Sequence, residues 1–208
     1  MPNLKLALRT LAKTPFVTAV AVVSLALGIG ANAATFSLFD QILLRPLPVP
    51  EPARLVNLVA PGPKPGSQSC NQAGDCEAVF SYAMFRDLER GQRVLTGVAA
   101  HRLFGANLAF RRQTRNGEGV MVSGSYFPVL GLRPAVGRLF TPADDQTVGA
   151  HFVAVLGHSY WTTQLGGDPS VVGEQIVVNG QSMTIIGVAP AGFEGTTTGA
   201  RPEVYVPI

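Results

Sequence analysis

The sequence predicts an α+β protein. One N-terminal transmembrane helix precedes a mixed, largely antiparallel domain outside the cytoplasm, with a division into two subdomains near Gly131 to Phe140 left open. Three observations carry this reading. The run from Phe16 to Phe39 contains no ionisable residue. The remainder alternates short strand-like and helix-like segments without a regular βαβ series, which argues against a parallel α/β sheet. Gly 23 and Pro 16 in 208 residues, with no G-X-Y period, point to many turns between short elements.

Composition narrows the function classes. Charged residues are 14%, hydrophobic residues 47% and mean hydropathy is +0.26, which excludes a disordered chain. The net charge of +3 is not spread evenly: residues 1–39 hold Lys5, Arg9 and Lys13 and no acid, and the other 13 basic residues are matched by 13 acidic ones. A nucleic-acid binder would concentrate positive charge on its folded body, so no nucleic-acid partner is expected. Cations just before an apolar run are the positive-inside arrangement and place the N-terminus in the cytoplasm.

Residues 1–14 read as a short amphipathic helix on the lipid surface. Lys5, Arg9 and Lys13 recur at i, i+4, i+8, with Leu4, Leu8, Leu11 and Ala12 at other angles. Residues 15–39 read as the membrane helix. From Phe16 to Phe39 a helix extends about 36 Å, against a hydrocarbon core of about 30 Å, and Pro15 suits its first turn. Ala26, Gly30 and Ala34 form a small-residue stripe that would let a second helix approach. A rival reading takes Ala31-Asn32-Ala33 as a signal-peptidase site. It is weakened by the apolar run continuing through Phe36, Leu38 and Phe39. Either way, residues 40–208 lie outside the cytoplasm.

Residues 40–53 read as a stiff Pro-rich linker, with Pro46, Pro48, Pro50 and Pro52 alternating. Arg54 to Ala60 reads as a buried strand. In the polar loop 61–79, Cys70 and Cys76 are the only cysteines. In an oxidising compartment this pair predicts a structural disulfide; the alternative, half a tetrahedral metal site with no nearby His, is the weaker one. Ser81 caps a helix bearing Tyr82, Phe85 and Leu88, ended by Gly91. Val94 to Arg102 and Asn107 to Arg115 read as strands, with Asn116-Gly117 as a hairpin turn and Glu118 to Ser123 returning. Arg111, Arg112 and Arg115 would flank that turn at a solvated tip. Ser125 starts a short helix, Tyr126 to Leu130. Thr141-Pro142-Ala143-Asp144 is a capping box. Phe152 to Leu156 is a buried strand and Ser159 to Leu165 a helix ended by Gly166-Gly167. A second hairpin turns at Asn179-Gly180 between Glu174 to Val178 and Gln181 to Val188. Glu203 to Val206 is a last strand.

No catalytic, cofactor-binding or metal-ligating set emerges. The last lysine is Lys64, so no Walker A loop is present. His101, His151 and His158 have no metal-ligand spacing, no G-x-S-x-G elbow exists, and adjacent Asp144 and Asp145 do not converge from separate elements. An enzyme with a site assembled from scattered residues stays open at this point.

Several blocks carry a family resemblance. LKLALRTLAKTPFVTAVAVVSLALGIGANAATFSLFDQILLRPLPVPEP (Leu4 to Pro52) resembles the first membrane helix of MacB/FtsX-type ABC transporter permeases, especially the duplicated orphan permeases of acidobacteria. FSYAMFRDL (Phe80 to Leu88), VSGSYFPVLGLRPAVGRLFTPADD (Val122 to Asp145) and VLGHSYWTTQLGGDPSVVGEQIVVNGQSMTIIGVAPAGF (Val155 to Phe193) resemble the MacB-type periplasmic core domain, here residues 54–208. The resemblance implies an inner-membrane protein whose periplasmic domain transmits ATP-driven motion. It implies a separate cytoplasmic ABC ATPase subunit as partner and, beyond that, a homodimer or further permease helices. Members of the family carry at least four membrane helices. The expectation is therefore that this chain is the N-terminal part of a longer permease, with an incomplete periplasmic domain. The rival expectation is a secreted periplasmic binding module with a cleaved signal peptide.

Overall fold

The computed structural model describes residues 13–40, 46–62, 77, 79–147, 149 and 151–208. Contacts divide the chain into two units, Met1–Pro46 and Leu47–Ile208.

In the first unit, helix α1 runs Pro15–Phe39. Pro15 takes the first turn, and the Asp40 N–H closes the end on Phe36 and Ser37 carbonyls. The hydroxyl of Thr35 donates to Ala31 O at 2.9 Å, so a polar side chain is satisfied within its own helix. Pro15–Ser37 is long and apolar enough to cross a membrane, and none of its most apolar stretch is buried in protein.

The second unit is built on seven strands: β1 His101–Phe110, β2 Gln113–Val122, β3 Val136–Gly137, β4 Val153–Leu156, β5 Gln175–Val178, β6 Gln181–Val188 and β7 Val204–Pro207. Among the described residues three helices accompany them: α2 Tyr82–Gly91, α3 Tyr126–Val129 and α4 His158–Leu165. The sheet order is β3-β6-β4-β7-β2-β1-β5, and β6 also pairs with β5. That last pairing joins the ends, so six strands close into a ring and β3 adds to the edge of β6. The β2–β7 and β4–β6 pairs are parallel; the other pairs are antiparallel. Closure removes most free edges.

The two faces of this sheet carry two core clusters. Phe104, Ala106, Leu108 and Phe110 alternate along β1 into one, joined by Ile176, Val204 and Tyr160. Val120, Val122, Tyr126, Phe127, Phe140 and Tyr205 build the other. In β4, Ala154 and Leu156 face one cluster and Val155 the other. A strand buried on both faces reads as a continuous apolar run, which is why Phe152 to Leu156 was legible.

Four sequence expectations are corrected. First, Arg54 to Ala60 is no strand. Pro52–Arg54 is a 3-10 turn, residues 55–60 have no strand pairing, and Val56 is 64% exposed. Pro52, with its fixed φ, opens the turn that takes up Arg54. Second, no division falls near Gly131 to Phe140. Leu130, Leu139 and Phe140 lie in the same cluster as Val120 and Tyr205. Third, Asn116-Gly117 is not the hairpin turn. Asn116 stands opposite Asn107 and Gln113 opposite Phe110. The turn is Arg111-Arg112, with φ of 45° and 67°, the two positive values a type I′ turn needs. Gly117 serves a close approach instead: a Cβ there would collide with the Glu203 carboxylate. Fourth, the Pro-rich stretch is not wholly a free spacer, since Leu47, Val49 and Leu55 pack on the second cluster. Two further strand expectations move with the turn: residues 94–100 are not strand, and Asn107 to Arg115 spans the end of β1, the turn and the start of β2. Ser125 precedes α3 without a side-chain cap bond. The helices at Tyr82 and His158 and the strands β4 to β7 follow the sequence to within a residue or two, including the type I′ turn at Asn179-Gly180 (φ 49° and 84°).

Candidate functional site

The predicted site residues fall into three groups. Lys13 lies just before α1, while Lys5, Arg9, Cys70 and Cys76 lie outside the described residues. Ala26, Gly30 and Ala34 are exposed on α1, and a Cβ at Gly30 would meet no atom within 4 Å. Phe16 and Phe39 lie at the two ends of the helix, both exposed. An apolar helix with no apolar partner of its own is the chemistry of a lipid-embedded segment.

The start of the second unit packs on the barrel. Leu47, Val49 and Leu55 enter the core cluster of Val120, Phe127 and Tyr205, and the 3-10 turn Pro52–Arg54 lies between them. Proline fixes φ at Pro52, and the side chains on either side of the turn lie against residues of β2 and β7.

Three arginine–carboxylate clusters hold the barrel in shape, and of their contacts the sequence showed only the Thr141–Asp144 box. Arg138 grips Asp144 with two bonds, Nη1 to Oδ2 at 2.7 Å and Nη2 to Oδ1 at 2.8 Å. With the Thr141 backbone and hydroxyl also donating, Arg138 holds the Asp144 carboxyl at about 2, below the usual 3.8. Asp145, beside it, accepts from Gly124 N–H at 3.2 Å. Arg111 Nη2 reaches Glu174 at 2.6 Å and Asp168 at 3.0 Å, and its guanidinium lies 5.2 Å from the Phe110 ring centre. These bonds hold the strained turn against β5. Arg115 Nη2 pairs with Glu203 at 2.7 Å, 5.5 Å over Tyr160; burial raises the Glu203 carboxyl above its ordinary value. The partners of Arg111 lie 63 and 57 residues away, and Glu203 is likewise far from Arg115, so no local signal announces those two clusters.

Asn179 closes the ring. Its Oδ1 accepts from Asn107 N–H at 2.7 Å and its Nδ2 donates to Gly105 O at 3.1 Å. Its side chain thereby continues the two-residue β1–β5 ladder.

No group of three His, Cys, Asp or Glu side chains that could hold a metal occurs among the described residues. His101 contacts Thr197 and Thr196 hydroxyls at 3.3 and 3.4 Å, and burial lowers its imidazole below the ordinary value. His158 lies edge-on to Trp161, 5.5 Å between ring centres. An open cleft of about 320 Å³ is lined by Phe110, Arg115, Asn116, Tyr160 and Gln164 among others, with Arg115 already committed to Glu203.

The comparisons with known proteins fit this architecture. The periplasmic region of MacB from Actinobacillus actinomycetemcomitans superposes with a TM-score of 0.52 at 19% identity, covering 67% of this chain and 62% of that one. The extracellular domain of the ABC-type transporter YknZ from Gram-positive bacteria gives 0.49 at 20% identity, covering 62% of each chain. The chain thus spans less than two thirds of either structure. No curated protein sequence matches. The profile of the MacB-like periplasmic core domain matches residues 18–208, from inside α1 to the last strand. With that span matched, the chain belongs to the MacB-like periplasmic core domain family.

Proposed function

We propose that this chain is the N-terminal part of an inner-membrane ABC transporter permease, held by α1 with its N-terminus in the cytoplasm. Its periplasmic barrel transmits motion driven by ATP hydrolysis in a separate cytoplasmic subunit. The single observation that carries the reading is the family match beginning at residue 18. The apolar helix and the barrel are matched as one unit, so the helix belongs to the domain it precedes. Two physical features support coupling. The closed ring resists shear, because every strand in it is bonded on both sides. Leu47, Val49 and Leu55 pack on the core cluster of β2 and β7, so that movement of this segment would reach the barrel. The small-residue stripe Ala26, Gly30 and Ala34 is assigned to packing against another permease helix or a second copy, with lipid covering the rest. Cys70 and Cys76 are assigned to a disulfide that braces the 61–79 loop.

The test uses native membranes holding the permease and its ATPase, with spin labels at positions 13 and 112. ATP turnover should change the distance between the labels. A distance that stays the same with and without turnover contradicts transmission.

A further inference from the structure

Helix α2 rests on the barrel through few contacts. Its one buried side chain is Phe85, 4% exposed, which belongs to neither core cluster. Among the described residues, the polar side-chain contacts that leave the helix converge on one carboxylate. Tyr82 Oη donates to Asp145 Oδ1 at 3.4 Å, and Arg86 Nη1 lies 3.8 Å from Asp145 Oδ2. The Asp145 side chain is only 3% exposed.

Both sides of this contact are prearranged. Asp145 ends the 3-10 turn Pro142–Asp145, fixed by the Thr141–Asp144 box and by Arg138. Gly124 N–H approaches it from the β2–α3 junction, where a Cβ would strike the Thr141 carbonyl. On the helix side, Arg86 is braced by Glu89 at 2.7 Å and lies 6.0 Å over the Tyr82 ring. Tyr82 in turn tilts against Phe85 at 6.3 Å. Beyond the helix the chain is pinned again only at Val98, whose carbonyl accepts from Ser125 Oγ at 2.7 Å, and at Ala100, whose N–H donates to Ser123 Oγ at 3.0 Å. Between these anchors, Gln92 Oε1 caps the N–H groups of Val94 and Leu95 and forms a local turn.

We infer that α2 is a docked strap whose polar catch among the described residues is Asp145, and that it lifts from the barrel as a unit while the ring of strands stays closed. A buried carboxylate keeps its place only while its donors are present. Bonds to a charged group contribute more than neutral ones, so among the described residues Asp145 adds a polar hold to the apolar one of Phe85. Such a segment opens at lower free energy than the core.

Amide hydrogen exchange on the full chain in lipid nanodiscs tests this. In Asp145→Ala, exchange within residues 85–92 is expected to accelerate roughly tenfold or more, with the amides of β1 to β7 unchanged. Because that variant could disturb the 3-10 turn itself, the double variant Tyr82→Phe, Arg86→Met leaves the turn intact. It is expected to show the same local pattern, to a smaller degree. If strand amides accelerate together with α2, the helix is no separate unit and the inference fails. If helix exchange stays as in the native chain in either variant, the catch is not on this carboxylate and the inference fails equally.

Discussion

Helix α1 and the barrel are governed by different physics. In α1 almost any apolar residue serves, because its surroundings are uniform: Phe16, Leu27 and Phe36 are each about two thirds exposed or more, and none needs a specific neighbour. In the barrel each residue is tied to particular others. Phe127 is 1% exposed and touches the rings of Tyr126, Phe140 and Tyr205. The difference teaches that composition decides one region and pairing decides the other. Substitutions should therefore sort cleanly: those in α1 change membrane partition and leave barrel stability alone, and those in the barrel do the reverse.

The largest separation is expected from Phe127→Ala. Emptying this site should cost about 3–5 kcal/mol, seen as a large fall in the barrel's Tm, with the membrane-bound fraction unchanged. Next is Leu27→Arg near the middle of α1. A cation at the centre of a span costs about 2.5–3.5 kcal/mol, so the inserted fraction should fall while the barrel melts as before.

Asp144→Asn sharpens the comparison through pH. The carboxyl is depressed in the folded state, so its stabilisation is complete above the usual value of 3.8 and is lost as pH falls toward about 2. The variant should be less stable by about 1–2 kcal/mol at neutral pH, and the two chains should converge in denaturation near pH 2. A constant gap across that range would show that Arg138 does not act through the charge.

The smallest effect is expected from Asn179→Gly. Glycine keeps the positive φ, so only the amide's bonds to Asn107 and Gly105 are lost. A cost of about 1 kcal/mol is expected, with faster hydrogen exchange confined to β1 and β5.

The same contrast explains what could be read from sequence. The limits of α1 follow from charge and length alone, and the structure places it at Pro15–Phe39. The Ser81 and Thr141 caps, the double-buried strand β4 and the Asn179-Gly180 turn are equally local, and each was legible. The first hairpin was not. Asn116-Gly117 carries the stronger turn signal, yet Arg111-Arg112 turns. Arg111 is held by Glu174 and Asp168, 63 and 57 residues away, and Gly117 makes room for Glu203. Arg54 to Ala60 misled for the opposite reason: its apolar residues suggested a strand, but no strand among the described residues pairs with it. Asp144 was explained by its capping box, while the grip of Arg138 and the role of Asp145 needed tertiary structure.

The account's central claim is that α1 remains attached as a membrane anchor continuous with the barrel. Expression in a Gram-negative host, carbonate extraction and intact-mass determination test it most directly. The full-length chain retained in the membrane pellet is the predicted result. A soluble chain beginning at Ala34 would contradict it and leave an exported binding module in its place.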